Sequence, residues 1–226
     1  MSQARLPAPR AIIFDWDNTL VDSWPCIHAA MNETLVRMGH ETWSLEKTQS
    51  QVALSLRNAF PALFGNRWEE ARDIYLSQYA AIHMERLVPL LGAAQMLTDL
   101  REMGVHLAVV SNKTGRFLRI EADHLGWTPH FGRLVGAGDA ATDKPSTAPV
   151  HMALDGTGIA PGPTVWFAGD APVDMHCAID SGCTPILLRS LLPGVEEFQT
   201  HPPRHHFAAF ESVTGLVRGL LHPISC

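Results

Sequence analysis

The chain has 226 residues, of which 46% are hydrophobic and 18% are charged, and its formal net charge is −6. This length allows one large domain or a domain with an insertion, and the composition is typical of a folded protein rather than a disordered one. The negative charge argues against a broad surface for nucleic acid or anionic membranes, so any phosphate-binding site must be local.

The four cysteines form no C-x-x-C pair and no dense framework, so we expect reduced thiols; they are Cys26, Cys177, Cys183 and Cys226. The first ten residues lack the apolar segment of a signal peptide, and no apolar run approaches the length needed to span a membrane. We therefore predict a cytoplasmic protein with neither a nucleic-acid nor a membrane partner.

The first chemical signal follows an apolar run, residues 11–14, which predicts a buried strand of a parallel sheet. Asp15 ends this run and Asp17 comes two residues later, on the same side of an extended chain. Carboxylates at the carboxyl end of such a strand face the crevice where open α/β sheets bind ligands. Two like charges this close are costly without a cation or a shared proton, so the pattern favours a metal site.

Residues 24–88 change to a helical pattern. A helix beginning near Pro25 carries apolar residues at spacings of three and four, and Gly39 could close it. Residues 47–60 are ambiguous in period, and we expect Pro61 to end or kink this segment. A third helix is predicted to follow Asn66, a plausible N-cap, with Glu69 and Glu70 in its first turn.

Strand and helix alternate again after Gly92, starting with a helix that Gly104 ends. The strand predicted at 105–110 ends in Ser111 and Asn112, and a small hydroxyl there could bond a phosphoryl oxygen or simply cap the next helix. After a helix at 116–125 and a strand at 134–136 comes Lys144, before Pro145. Its ammonium suits phosphate or an acidic cluster, although a lone lysine is usually a solvated surface residue. We expect the nearby Asp139 and Asp143 to be turn residues.

A further apolar strand, predicted at 165–169, ends in Gly169 and Asp170. Gly169 allows a close backbone approach, and Asp170 then faces the same crevice as Asp15. Asp174 follows at the start of a helix. We predict a strand at 184–188, a short one near Phe207 and a final amphipathic helix, with the proline- and histidine-rich residues 193–206 as a loop.

Taken in order, these strand ends resemble the four motifs of the haloacid-dehalogenase-like superfamily: Asp15-x-Asp17-x-Thr19, Ser111, Lys144 and Gly169-Asp170-x-x-x-Asp174. The helical block after the first strand resembles the cap of its phosphoglycolate-phosphatase-like branch. The resemblance implies a doubly wound parallel-sheet α/β core (Rossmannoid) at 11–22 and 89–226. An inserted α-helical cap would occupy 23–88, and 1–10 would be a tail.

The resemblance also implies roles for the motif residues. Asp15 would be the nucleophile that forms an aspartyl-phosphate, and Asp17 would protonate the leaving alcohol and then activate water. Mg²⁺ would be bound by Asp15, Asp170 and the backbone carbonyl of Asp17. The remaining roles are phosphoryl binding by Ser111, Asn112 and Lys144, and support of the metal or of Lys144 by Asp174.

An Asp at position 17 favours phosphate esters over the halides and phosphonates that other members of the superfamily cleave. We therefore predict a Mg²⁺-dependent phosphomonoesterase for a small phosphorylated metabolite, with a phosphoglycolate-like substrate suggested by the family resemblance alone. A phosphotransferase or sugar-phosphate mutase remains open, as does a non-catalytic binding module. Asn18 replaces a commoner Gly but tolerates unusual backbone angles. Arg57 in the cap could reach a substrate carboxylate, or be an ordinary exposed arginine.

Overall fold

The structure is a computed structural model that describes residues 6–194 and 196–222. Eight strands occur in this part of the chain: β1 (Ala11–Phe14), β2 (Val21–Asp22), β3 (Val88–Pro89), β4 (His106–Thr114), β5 (Arg133–Ala137), β6 (Val165–Gly169), β7 (Thr184–Leu188) and β8 (His205–Phe207). The helices are α1 (Trp24–Arg37), α2 (Leu45–Gln51), α3 (Leu56–Phe64), α4 (Trp68–Arg86), α5 (Ala93–Glu102), α6 (Gly115–His124), α7 (Ala148–Leu154), α8 (Pro172–Asp180) and α9 (Phe210–Leu221).

Six strands form one parallel sheet in the order β5-β4-β1-β6-β7-β8. Strand β1 lies in its interior, and both faces of β1 are buried because alternate side chains enter different cores. Ile12 and Phe14 pack with α5 and α9, whereas Ala11 and Ile13 pack with α7 and α8. Helices on both faces explain why these strands read as continuous apolar runs.

Helices α1, α3 and α4, which lie between β2 and β3 in the chain, form a separate apolar cluster together with Phe117 of α6. Strands β2 and β3 pair antiparallel as a two-stranded connection. The cluster includes Phe60, Phe64 and Tyr75, and its most extensive helix packing joins α1 to α4. The parallel α/β core with an inserted helical cap is thus confirmed. The exact bounds of the cap at residues 23 and 88 stay a prediction.

Two local details differ from the predictions. Pro61 does not end the second helical segment but lies inside α3, and the alternative that it kinks the helix stays a prediction. The segment breaks earlier, between α2 and α3, where Val52 is extended. Asn66 is not the N-cap of α4, because a short 3₁₀ turn, Gly65–Arg67, leads into the helix and Arg67 takes that position. A proline at the sixth position of a helix loses only one interior hydrogen bond, which the packing of Phe60 and Phe64 offsets.

The N-terminal tail packs on the core as far as the structure describes it. The indole of Trp166 donates a hydrogen bond to the carbonyl of Pro7, and Leu6 contacts the main cluster. The first five residues and Cys226 lie outside the described residues, so nothing tests the predictions made for them. The other three cysteines are free thiols, as expected. Within the ranges given above, no helix combines the length and the apolarity needed to cross a membrane.

Candidate active site

Three neighbouring strands bring the motif residues to one edge of the sheet. Strands β4, β1 and β6 lie side by side and parallel, so Ser111, Asp15 and Asp170 meet at their carboxyl ends. Lys144 reaches this edge from the loop that follows β5. This is the position at which open α/β sheets bind ligands, between β1 and its neighbours on either side.

The first charged group at this edge is the Lys144 cluster, which consists of Lys144, Asp15 and Asp174. The ammonium of Lys144 lies 2.8 Å from Asp15 Oδ1 and 2.6 Å from Asp174 Oδ1, and its side chain is 1% exposed. Burial opposes this charge, but Asp15 and Asp174 outweigh that effect and raise the pKa of Lys144. Lys144 is therefore a cation at neutral pH. It is not the solvated surface residue that a lone lysine would suggest.

The carboxylates carry more negative charge than Lys144 offsets. Burial, opposed by Lys144 and reinforced by the charges of Asp174 and Asp17, raises the pKa of Asp15 to about 6. Burial, followed by Asp174 and Asp15, raises the pKa of Asp170 well above its ordinary value. Such shifts mean that ionising both groups together is unfavourable unless another cation is present.

The same carboxylates can hold a cation. One oxygen from each of Asp15, Asp170 and Asp174 can be chosen so that the three lie within 4.8 Å of one another. An all-oxygen set is what Mg²⁺ and Ca²⁺ prefer. Gly169 makes the arrangement possible, since a Cβ there would lie 2.3 Å from the Asp174 carboxyl carbon. Gly169 therefore permits a close approach, as predicted, and the group that approaches its backbone is the Asp174 side chain.

The Asp17 carboxylate pairs with a different lysine from the Asp15 carboxylate, although the two face the same crevice. Its Oδ1 lies 2.5 Å from the ammonium of Lys113 and also accepts a hydrogen bond from the Ser23 hydroxyl. Lys113 lies 3.0 Å from Glu121 as well. We call Lys113, Asp17 and Glu121 the Lys113 cluster. Burial disfavours the charge on Lys113, yet Asp17 and Glu121 outweigh this effect and raise its pKa.

Glu121 is fully buried and is bonded from both the core and the cap. The indole of Trp16 donates to it at 2.8 Å, and from α4 the Tyr79 hydroxyl donates at 3.2 Å while His83 Nδ1 lies 2.8 Å away. Lys113 also donates to Tyr79 at 2.5 Å. The cap is therefore connected to Asp17 through polar contacts that are mostly buried.

The sequence reading missed Lys113 and Glu121, although each left a signal. Strand alternation places residue 113 on the side of Ser111, the motif hydroxyl. Glu121 recurs at helical spacing with the buried residues Phe117 and Leu118, so a carboxylate lies on the apolar face of α6. A buried carboxylate needs a partner, and for Glu121 that partner is Lys113 of β4.

The structure brings the other predicted phosphate ligands to the cavity in different ways. Ser111 is 5% exposed and its hydroxyl accepts a hydrogen bond from the Lys113 backbone. The Asn112 amide donates to the carbonyls of Ala53 in the cap and Lys144 in the core. Asn112 thus connects the two halves of the molecule with the same group that was predicted to bind phosphate.

Arg57 makes a second connection between cap and core. Its guanidinium donates two hydrogen bonds of 2.5 Å to Asp143 and one of 3.3 Å to the Ala140 carbonyl. The expectation that Asp139 and Asp143 are turn residues is met, since they accept hydrogen bonds from the backbone of Gly136 and Gly138. Asn18 adopts a φ of 60°, the left-handed conformation anticipated at this position.

A cavity of about 860 Å³ lies over these groups, between the sheet edge and the cap. Its floor is lined by Asp15, Asp17, Asp170, Ser111, Lys113 and Lys144, but not by Asp174. Its cap side is lined mainly by apolar and aromatic residues, among them Trp24, Ile27, Leu54, Leu56, Tyr75 and Phe117 of the adjoining core helix. This volume is in the range that holds a small-molecule ligand.

Comparison with known proteins agrees with this geometry. The family of haloacid dehalogenase-like hydrolases matches residues 12–188. The chain is 29% identical to the phosphoglycolate phosphatase of Pectobacterium atrosepticum, with 81% of each chain covered. It is 27% identical to that of Rhodobacter capsulatus, covering 92% of this chain and 97% of the relative.

Two solved structures extend the likeness to three dimensions. A Had-superfamily hydrolase from Ehrlichia chaffeensis is 30% identical, with a TM-score of 0.64 and coverage of 96% of this chain and 99% of the other. A haloacid dehalogenase-like hydrolase from Bacteroides fragilis shares the fold, with a TM-score of 0.82 at 22% identity over 91% of this chain and 99% of the other.

Proposed function

The chain belongs to the haloacid dehalogenase-like hydrolase family, and on that premise we propose that it is a Mg²⁺-dependent phosphomonoesterase acting through an aspartyl-phosphate. The observation that carries the proposal is Asp15, held at the carboxyl end of β1 against Lys144 and beside Asp170. Relatives named phosphoglycolate phosphatase support a phosphorylated small molecule as substrate. The predicted cytoplasmic location remains part of the proposal.

In the proposed reaction the Asp15 carboxylate attacks phosphorus, and the bond from phosphorus to the ester oxygen breaks. Asp17 gives its proton to the departing alkoxide, then takes one from the water that attacks the aspartyl-phosphate. Water attack regenerates Asp15 and releases inorganic phosphate. Ser111, Asn112 and Lys144 bind the phosphoryl oxygens, on which negative charge spreads in the transition state.

Asp15 and Asp170, with the backbone carbonyl of Asp17, would hold Mg²⁺, and Asp174 would orient Lys144. The raised pKa values of Asp15 and Asp170 and their shared oxygen set fit a divalent cation. The chemistry that bound Mg²⁺ supplies is neutralisation of phosphoryl charge and its orientation for in-line attack. Lys144 already offsets one carboxylate, so the nucleophile and the phosphoryl group can approach each other.

The proposal is tested by a hydrolysis screen over phosphate monoesters, with Mg²⁺ and again with chelator, using the wild type and Asp15→Asn. Phosphate release that needs Mg²⁺ and is lost in Asp15→Asn is expected, because only the carboxylate can form the covalent intermediate. Asp155→Asn, an exposed carboxylate far from the motifs in sequence, is the matched control. Release that persists in Asp15→Asn would refute the mechanism, and transfer of phosphate to an added alcohol would favour the phosphotransferase alternative.

A further inference from the structure

The cavity wall also bears on which alcohol the ester carries, a question that rests on the proposed function. Three cations line the cavity within the described ranges, and each already has anionic partners. Lys144 and Lys113 belong to the two clusters described above. Arg189 makes two hydrogen bonds to Glu197, of 2.7 and 2.6 Å, and a third of 2.9 Å to the Asp170 carbonyl.

Arg57, for which a substrate carboxylate was one of two alternatives, does not line the cavity. Both of its short hydrogen bonds go to Asp143, whose side chain is 2% exposed. Turning Arg57 toward the cavity would break both of these hydrogen bonds. Arg57 is therefore engaged in joining cap to core.

Carboxyl groups outnumber the cations of the lining. Six carboxylates line the cavity against the three cations; they are Asp15, Asp17, Asp22, Glu46, Asp170 and Glu197. On the cap side the charged group is Glu46, in the first turn of α2, where its own backbone N–H and then Ser44 lower the pKa of its carboxyl. A substrate group lying against the cap would thus face apolar side chains and a carboxylate.

Here a second anionic group on the substrate would be unfavourable. The phosphoryl group has Lys144 and the proposed metal site at the floor, whereas a carboxylate near the cap would lose hydration without gaining a cation. An apolar group would instead be buried against Trp24, Ile27 and Tyr75, which is favourable in proportion to the area removed from water. Specificity is the difference between these two outcomes.

We propose that the physiological ester carries a neutral, largely apolar alcohol group, and that a carboxylate on that group is selected against. The proposed substrate differs from the one that the relatives are named for, because phosphoglycolate carries a carboxylate beside its phosphate. On this proposal the phosphoryl site at the sheet edge would serve either kind of ester, and the cap side of the cavity would discriminate between them.

Benzyl phosphate and 4-carboxybenzyl phosphate test this inference, because they have the same skeleton and nearly the same leaving-group chemistry. We expect kcat/KM with Mg²⁺ to be at least about tenfold higher for benzyl phosphate, which corresponds to about 1.4 kcal/mol of discrimination. Equal or faster cleavage of the carboxylated ester would overturn the inference and leave the proposed function intact. Failure to cleave any monoester would refute the proposed function, and this inference with it.

A charge-introducing variant shows whether the cavity wall is responsible. Gln49 of α2 is exposed, lines the cavity and belongs to neither cluster. Gln49→Lys places a cation on the cap side of the cavity. It is expected to lower the ratio of kcat/KM for benzyl over 4-carboxybenzyl phosphate at least about threefold, mainly by lowering the KM of the carboxylated ester. Gln49→Met, of similar length and uncharged, is the control and is expected to keep the wild-type ratio. An unchanged ratio in Gln49→Lys would overturn the inference.

Discussion

The two lysine clusters are alike in composition and different in what holds them. Each pairs one buried ammonium with two carboxylates, and in each the pKa of the lysine is raised because those carboxylates outweigh burial. The Lys144 cluster is built from the core alone, at strand ends and the start of α8. The Lys113 cluster is completed by Tyr79 and His83 from the cap.

This difference divides the proposed reaction between two parts of the molecule. The proposed nucleophile, Asp15, and the proposed phosphoryl ligand Lys144 lie in the Lys144 cluster, whose position depends on the sheet. The group for proton transfer, Asp17, lies in the Lys113 cluster, whose hydrogen bonds reach α4. We infer that damage to the cap should affect proton transfer before it affects nucleophilic attack.

The largest expected effect separates these two steps. Asp17→Asn keeps the nucleophile but removes the proton donor, so hydrolysis of alkyl esters should fall by roughly 10² to 10⁴. Nitrophenyl phosphate should still react with Asp15, because its leaving group needs little protonation. The aspartyl-phosphate should then accumulate, measured by mass spectrometry after acid quench. A phosphoryl group found on Ser111 or on a histidine would contradict the assignment of Asp15 as nucleophile. So would an equal amount of phosphoenzyme in Asp15→Asn.

A second prediction uses Mg²⁺ to tell the clusters apart. Lys144→Met and Lys113→Met should each lower the free energy of unfolding by roughly 3–5 kcal/mol, because each leaves buried carboxylates without a counter-charge. Urea unfolding should show that Mg²⁺ stabilises Lys144→Met more than it stabilises the wild type, because in this variant Mg²⁺ also replaces the missing counter-charge of Asp15 and Asp174. In Lys113→Met, whose proposed metal site is intact, Mg²⁺ should stabilise no more than it does in the wild type.

The exposed Lys47, which lies over the Trp43 ring, provides the matched control. Lys47→Met is expected to change the free energy of unfolding by about 0.5 kcal/mol or less. If Mg²⁺ raised the free energy of unfolding of both buried-lysine variants equally, the prediction that Mg²⁺ replaces the missing counter-charge only in the Lys144 cluster would be wrong.

The third prediction concerns pH. The pKa of Asp15 is about 6, above its ordinary value of 3.8, so without metal this group stabilises the fold most at low pH. Its contribution is lost as pH rises from about 4 through 6. Because the cation needs the ionised form, Mg²⁺ should bind about tenfold more weakly at pH 5 than at pH 7. Calorimetric titration of the wild type measures this, and Asp15→Asn should keep only the part of the pH dependence that Asp170 contributes, since burial is the main cause that raises the pKa of Asp170.

The smallest expected effect concerns the other cap–core connection. Arg57→Ala breaks the pair with Asp143, but the arginine side chain is 38% exposed, so the loss should be about 1 kcal/mol or less. The ratio of kcat/KM between benzyl and 4-carboxybenzyl phosphate should not change, because Arg57 does not line the cavity. Arg37→Ala, in an exposed pair with Glu33, is the control. A changed ratio would return Arg57 to the substrate site.

Local pattern was sufficient for much of this protein. Each apolar run of four or five residues became a strand, and the order of polar residues after those strands identified the family. These features are legible because parallel strands buried on both faces need continuous apolar sequence, and their carboxyl ends converge on one edge. The roles of Asp15, Asp17, Ser111, Asn112, Lys144, Asp170 and Asp174 nevertheless remain proposals.

Only the tertiary structure decided which charges meet. Lys113 and Glu121 are eight residues apart in sequence, but Asp17, Tyr79 and His83 come to them from other elements. Arg57 likewise met Asp143 instead of the cavity. A helical or strand period reports which face of an element is buried, but the partner of a buried charge depends on how the elements pack.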